Sequence, residues 1–255
     1  MNACAFKYSV RLPSTAHSVS PGRLGSKFLD TLDALTRIDS NIFPDWEVGE
    51  LPAMKGYPLA VARSRIAEII GHNVVRDDLG HPEPERGYTA VAHTTISAKS
   101  RRMTVWVDRR DVWLKTGDWK VFPDPAIVTY PLFKAALLAI HSIWFTPWAC
   151  AQAFRGNTVT VPVHGGRGYR LEDAPMIPTD PTFPESIFHI PWFAYLSAPL
   201  ASGVKLPPEI ETERTVDGGL LMIATKQRLD PDIAEHARRA RILAETLIAS
   251  AAISS

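Results

Sequence analysis

Residues 88–108 decide the fold class: Tyr88-Thr-Ala-Val-Ala-His-Thr-Thr-Ile-Ser-Ala98, then Lys99-Ser-Arg-Arg102, then Met103-Thr-Val-Trp-Val-Asp108. The first run is rich in β-branched residues. In the last, Met103, Val105 and Val107 alternate with Thr104, Trp106 and Asp108, the two-residue period of a strand with one buried face. The basic run Lys99–Arg102 reads as the turn between them, so an antiparallel pair is the simplest arrangement.

Helical patterns flank this hairpin on both sides. Upstream, Phe6–Leu12 forms a first strand, and Ser20 and Pro21 supply a cap and a first-turn proline. Leu24, Phe28, Leu32 and Leu35 then recur at helical spacing. A loop containing Pro44, Trp46 and Pro52 leads to a second helix, Leu59–Ile70, which buries Leu59, Ala62, Ile66 and Ile69 and stops at Gly71 through a left-handed cap. Asp77–Gly87 is an acidic turn region interrupted by Pro82 and Pro84. Downstream, Pro131 opens an apolar helix to Phe145 that needs cover on more than one side and lies across the sheet.

Further on, Trp148–Phe154, Thr158–Val163, Ile187–Leu196 and Gly219–Thr225 are strand-like, with a loop-rich region from Gly165 to Pro184. Asp230 caps a last helix with Pro231 in its first turn and a buried stripe of Ile233, Ala237, Ala240, Ala244, Leu247 and Ile248. No repeat or linker divides the chain. The prediction is an α+β single domain spanning 1–255, with a mainly antiparallel or mixed sheet packed against several helices.

Composition narrows the function classes. The chain has 255 residues, 45% of them hydrophobic, enough for one large core without disulfides or metal. Cys4 and Cys150 are too few for a disulfide framework and lack zinc-ligand spacing, which suits a reducing cytoplasm. Met1–Val10 has no secretory core, and Leu132–Phe145 is shorter than the roughly 20 residues that cross a bilayer. A cytoplasmic protein is expected. The 28 basic and 27 acidic residues nearly cancel, so a charge-driven partner must meet a local patch.

Catalytic and metal motifs are missing from the pattern. The eight histidines, at 17, 72, 81, 93, 141, 164, 189 and 236, include no pair at metal-binding helical spacing. Asp77, Asp78 and His81 read as a solvated turn rather than a metal set. No Gly-x-Ser-x-Gly elbow occurs, and Cys150 reads as a small buried thiol without an activator. His93 and His189 read as structural. Gly165, Gly166 and Gly168 beside Arg167 and Arg170 could wrap a phosphate, but the nucleotide-loop ending is absent. No metal, no cofactor and no enzymatic activity are expected.

Two charged surfaces remain. Arg101, Arg102, Trp106, Arg109, Arg110 and Trp113 combine cations with aromatics as a nucleic-acid module would, although Asp108 and Asp111 interrupt them. Glu209, Glu211, Glu213 and Asp217 could pair with a basic protein surface. A dispersed hydrolase or transferase site is the third alternative.

Three runs decide between these. Phe28-Leu-Asp-Thr-Leu-Asp-Ala-Leu35 ahead of Pro44 and Trp46, then Trp192-Phe-Ala-Tyr-Leu-Ser197, then Asp217-Gly-Gly-Leu-Leu-Met222 resemble the immunity protein 52 family in content and order, over most of the chain. Pro175–Pro184 and Gly165–Gly168 fall outside that pattern. The resemblance implies a bacterial protein encoded beside a polymorphic toxin, often one delivered by type VI secretion. It would bind the toxin's active domain, often nuclease-like, and occlude it without catalytic residues. Glu209, Glu211, Glu213 and Asp217 are then the candidate contacts for a basic nuclease cleft.

Overall fold

The computed structural model describes residues 6–14, 19–51, 55–94, 103–109, 111–116, 125–155, 158–162, 169–173 and 190–253. In chain order the strands are β1 (Phe6–Pro13), β2 (Trp46–Glu50), β3 (Lys55–Pro58), β4 (Ala90–Thr94), β5 (Met103–Val107), β6 (Asp111–Thr116), β7 (Trp148–Arg155), β8 (Thr158–Pro162), β9 (Tyr169–Asp173), β10 (Ile190–Leu196), β11 (Glu211–Arg214) and β12 (Leu220–Ile223). The helices are α1 (Pro21–Ile38), α2 (Leu59–His72), α3 (Tyr130–Trp144), the short α4 (Ala198–Ala201) and α5 (Ala234–Ile253). Ten strands form one sheet in the order β11-β12-β10-β7-β1-β6-β5-β4-β2-β3, and β8 and β9 form a separate pair. Every pairing is antiparallel, so the fold is α+β and the mixed-sheet option falls away.

The hairpin that opened the reading is present, with Ala90 opposite Val107 and His93 opposite Thr104. Its turn, Lys99–Arg102, lies outside the described residues. Register then carries one apolar row across eight strands: Val48, Ala92, Val105, Leu114, Val10, Ala151, Phe193 and Ile223 stand opposite one another in succession. All eight are buried, none more than 1% exposed. One residue over, the side chains point to the opposite face, and that row reads Glu47, His93, Thr104, Lys115, Ser9 and Gln152. From β2 to β1 the period of two thus separates an apolar from a polar face, and slipping one of those strands by a residue would exchange them, whereas β10 and β12 are buried on both faces.

Helices α1 and α3 pack on each other, and α1 on α2; α3 covers β1 and β7, and α2 covers β2 and β3. Tyr8, Phe133, Trp192, Tyr130 and Phe193 form an aromatic nest with ring centroids 5.1–6.5 Å apart in edge-on and tilted contacts. Each buried indole finds an acceptor. Trp46 Nε1 donates to Thr36 Oγ1 at 3.1 Å and Trp144 Nε1 to Thr31 Oγ1 at 3.0 Å. Trp192 Nε1 donates to the Thr225 and Gln227 carbonyls at 2.9 and 3.0 Å. Tyr8 Oη donates to the Leu229 carbonyl at 2.5 Å, tying the first strand to the approach of α5.

Helix α1 starts as expected, with Pro21 first and Ser20 Oγ accepting from the Arg23 amide at 3.4 Å. Several other expectations need correction. The stretch assigned to a loop around Trp46 contains β2 and leads into β3, because Trp46 and Val48 fill the apolar row's edge. Pro52 lies outside the described residues. Strand β6 was not anticipated, and Tyr169–Asp173, placed in a loop-rich region, pairs with β8.

Helix α2 runs through Gly71 and is capped by Asn73, a buried residue with φ −84° rather than a left-handed one. Asn73 Nδ2 donates to the Gly49 carbonyl at 3.0 Å and its Oδ1 accepts from the Leu51 amide at 2.5 Å. That clamp onto β2 replaces a glycine cap. Helix α5 begins three residues later than Pro231 suggests, since Asp230 Oδ1 caps a turn by accepting from Asp232 N at 3.0 Å. Its stripe rotates accordingly. Ile233 is exposed, Ala237, Ala244 and Leu247 are half-buried, and His236, Ala240, Leu243 and Thr246 are buried; the Ile248 side chain lies outside the described residues.

Phe193 stands between Ala151 and Ile223 in the apolar row, under the Tyr130 ring. Phe193→Ala removes that ring from between the sheet and the Tyr130 and Trp192 rings packed on it, leaving a void in the core. A loss of about 3–5 kcal/mol of unfolding free energy is expected, read from denaturant melts, and a loss below about 1 kcal/mol would show that the row does not hold the sheet.

Candidate functional site

Strand β11 is an edge of the sheet, and the turn joining it to β12 shows how it is held. The Gly218 amide donates to the Thr215 carbonyl at 3.0 Å and the Thr215 amide to the Gly219 carbonyl at 3.0 Å. Gly218 has φ +80°, the left-handed conformation that closes a three-residue hairpin loop. Asp217 sits inside this turn. Its Oδ1 accepts from Thr215 Oγ1 at 2.5 Å and from the Gly219 amide at 3.2 Å.

The other carboxylate oxygen reaches outward. Asp217 Oδ2 accepts from Tyr195 Oη at 2.6 Å and lies 3.2 Å from His141 Nε2. His141 is buried in the last turn of α3, its ring 4.1 Å from that of Tyr195 and its Nδ1 3.5 Å from Thr146 Oγ1. Tyr195 approaches so closely that a Cβ on Gly219 would lie 2.4 Å from its ring, so only glycine fits there. One carboxylate therefore joins α3, β10 and the edge hairpin.

The electrostatics follow the geometry. The Thr215 and Tyr195 hydroxyls, then the Gly219 amide and His141, hold the Asp217 carboxyl far below the usual carboxylate range. Burial, reinforced by Asp217, pushes the Tyr195 phenol well up. An Asp–His–Tyr set invites comparison with general acid–base machinery. Here the four lone-pair positions of the carboxylate are all engaged, and both His141 nitrogens face neighbours of this chain, so the arrangement works as a lock.

The four anticipated contact residues lie along this edge but differ in their neutralisation. Glu209 lies 4.0 Å from Arg238. Glu211 pairs with Lys226, and Glu213 with Lys134 of α3 and with Lys226 at 3.1 Å, while Tyr130 Oη donates to it at 3.3 Å. Lys134 and Lys226 hold the Glu213 carboxyl below its ordinary value. The acidic cluster is thus a compensated network rather than an open negative field. Asp217 differs, with hydroxyl, amide and imidazole partners and no lysine or arginine among the described residues.

The other candidates scatter. Trp106 and Trp113 are cross-strand neighbours on the polar face, with Arg11 and Lys115 over the Trp113 ring at 4.8 and 4.4 Å. Arg11 is also bidentate to Asp111 at 2.9 and 3.0 Å. Arg101, Arg102 and Arg110 lie outside the described residues, as do Gly165–Gly168, Pro175–Pro184, Cys4, His17, His164 and His189. Asp77 Oδ1 accepts from the Leu79 and His81 amides at 2.9 and 2.7 Å, a turn cap. Burial pushes the Cys150 thiol up to about 12, far from a reactive thiolate. Among the described residues no group of three His, Cys, Asp or Glu could hold a metal. No helix among them is long and apolar enough to cross a membrane.

Two residues at this end of the sheet escaped the sequence reading. Phe145, which ends α3, is 77% exposed and has φ 49° and ψ 55°; among the described residues it is the one non-glycine at positive φ. That conformation costs an ordinary side chain about 1–2 kcal/mol. Val216, at the tip of the β11–β12 turn, is fully exposed. A phenylalanine where helices end on glycine, and a valine at a hairpin tip, were the available signals.

The fold defines an α+β class with one broad antiparallel sheet and a helical layer, and known proteins share it. The "Pseudomonas aeruginosa T6SS protein PA0821" superposes with a TM-score of 0.52 at 11% identity, covering 96% of this chain and 77% of that one. That likeness is one of fold. No protein-family model and no curated protein matches the sequence, so the immunity protein 52 resemblance gains no support from either comparison.

The lock predicts a pH-dependent contribution to stability. Asp217 has a depressed folded pKa, so its stabilisation is complete above the unfolded carboxylate pKa of about 4 and fades as pH falls below it. Tyr195→Phe, which deletes one hydrogen bond to this carboxylate, is expected to cost about 1.5–3 kcal/mol at neutral pH. The deficit should shrink on acidification, in unfolding curves compared with the native chain. A deficit independent of pH would show that Asp217 is not the partner that matters.

Proposed function

We propose that this chain is a bacterial immunity protein that binds a cognate toxin domain stoichiometrically and blocks its active site. Two things support the reading: the fold it shares with a protein described as belonging to the type VI secretion system, and the order of motifs resembling immunity protein 52. The observation that carries it is the preformed edge hairpin, fixed to α3 and β10 through Asp217, His141 and Tyr195. A surface already ordered before binding loses little conformational entropy when a partner arrives, the physical requirement for tight sequestration.

The finer reading is that the toxin is a nuclease and that Glu209 and Glu211 face its basic cleft. Both are exposed and held by Arg238 and Lys226 at the surface, so an incoming cation can replace those partners at small cost. The nucleic-acid alternative is less favoured, because Arg11 and Lys115 already cover Trp113 and Arg11 is committed to Asp111. The binding role needs no cofactor and no turnover, and it places the protein in the cytoplasm, where an incoming toxin acts.

The test is co-expression with the toxin domain encoded by the neighbouring reading frame, followed by titration of the purified pair. Survival of the co-expressing cells and a 1:1 complex with Kd in the nanomolar range or tighter, about 12 kcal/mol or more, are expected. Absence of both rescue and binding would overturn the proposal.

A further inference from the structure

Phe145 combines two unfavourable features, a left-handed backbone and an aromatic ring left mostly in solvent. The cap it makes, its amide donating to the His141 carbonyl at 2.7 Å, needs only a backbone N–H, and glycine or asparagine would supply it with less strain. Isolated exposed hydrophobics are ordinary, but this one has company. Pro147 follows two residues later, and its carbonyl accepts from the Ser197 amide at 2.9 Å, which brings in exposed Ala198 and Pro199. A Cβ on Gly218 would lie 3.7 Å from Ala198 Cβ, so the hairpin tip with Val216 borders the same loops. Asp217 is at this tip with its side chain nearly half exposed, the acidic candidate that no lysine or arginine among the described residues neutralises.

From this convergence of three loops we infer that Phe145 and Val216, beside the Asp217 carboxylate, are the anchor by which this chain grips a protein partner whose matching surface is an apolar pocket flanked by a lysine or arginine. The inference rests on the immunity reading and locates its interface. Charge selects the partner: a buried apolar contact next to a half-exposed carboxylate with no lysine or arginine partner among the described residues disfavours acidic surfaces and favours the basic surround of a nucleic-acid-cleaving domain. The Asp217 lock acquires a purpose here, since it fixes the hairpin tip relative to the end of α3 and hence Val216 relative to Phe145. Aromatic side chains buried in a partner's pocket carry much of the binding energy at protein interfaces, which makes Phe145 the anchor and Val216 its flanking contact.

The variants Phe145→Asn and Val216→Thr, singly and together, separate this role from a structural one. Asparagine tolerates the left-handed backbone and threonine keeps the branch at Cβ, so the unfolding midpoint should stay level or rise for Phe145→Asn. Affinity for the toxin domain of the neighbouring reading frame, measured by calorimetry with the full chain, should fall at least tenfold for each single variant and further for the pair. Raising salt should slow association of the native chain several-fold. Native affinity in the double variant would overturn the anchor and leave the immunity reading standing. A lower midpoint that accounts for the lost binding would assign Phe145 to folding instead. A concentration-dependent dimer of the native chain, dissolved by the double variant in sedimentation, would assign the patch to self-association. Failure of the native chain to bind the toxin domain would remove both proposals.

Discussion

The structure depends on the burial of one continuous apolar row across a very wide antiparallel sheet. The row from Val48 through Val105, Val10 and Phe193 to Ile223 crosses eight strands, and each member is worth about 1.5–3 kcal/mol when removed from water, less for the alanines. That burial dictates the rest. The helices α1, α2 and α3 exist as a layer because this face needs a cover, and the tryptophans at its margins are anchored through their indole N–H groups to threonines of α1 or to loop carbonyls. The apolar layer also sets where function can lie, since nothing soluble reaches that face. The edge strand, the half-exposed reverse face carried by β2, β4, β5 and β6, and the loops at the sheet ends remain.

Of these, the loop end at His141 and Asp217 is the most rigidly built. A single carboxylate gathers donors from its own turn, from β10 and from the end of α3. The arrangement resembles catalytic geometry in its residue types and differs in its freedom, because every acceptor position is already occupied by the protein. The same local economy neutralises Glu209, Glu211 and Glu213, whose cations come from α5, from α3 and from the chain just beyond β12. Under the proposed immunity role, specificity for a partner would come from shape, from the few apolar side chains left outside, and from the Asp217 carboxylate, which has no lysine or arginine partner among the described residues.

Much of the fold was legible because periodicity is local. Leu24, Phe28, Leu32 and Leu35 declared α1, and Met103, Val105 and Val107 declared β5, each buried as the pattern required. The errors fall where tertiary context outweighs local signals. Gly71 looked like a cap, yet Asn73 ends α2 because its side chain finds the backbone of Gly49 in β2 and of Leu51 just after it, 24 and 22 residues away in sequence. Trp46 between prolines looked like loop, and became strand because the sheet needed an apolar residue beside Thr94. Ile233 looked like the first core residue of α5, and the Asp230 turn rotated it into solvent. The candidate site was half legible. Asp217 was chosen for its charge, whereas His141 and Tyr195, 76 and 22 residues away in sequence, were invisible as its partners, and Phe145 could be recognised only once its backbone angle was known.

The proposed immunity role requires the chain to act by number rather than by turnover. Titrating a fixed amount of the toxin domain with increasing amounts of this chain, and following residual toxin activity, is the most direct measurement. A linear decline that reaches zero at one equivalent is the predicted result. Full inactivation by a small fraction of an equivalent, progressing with time, would mean that the chain modifies its target catalytically, and undiminished activity at large excess would mean that it does not recognise the toxin at all.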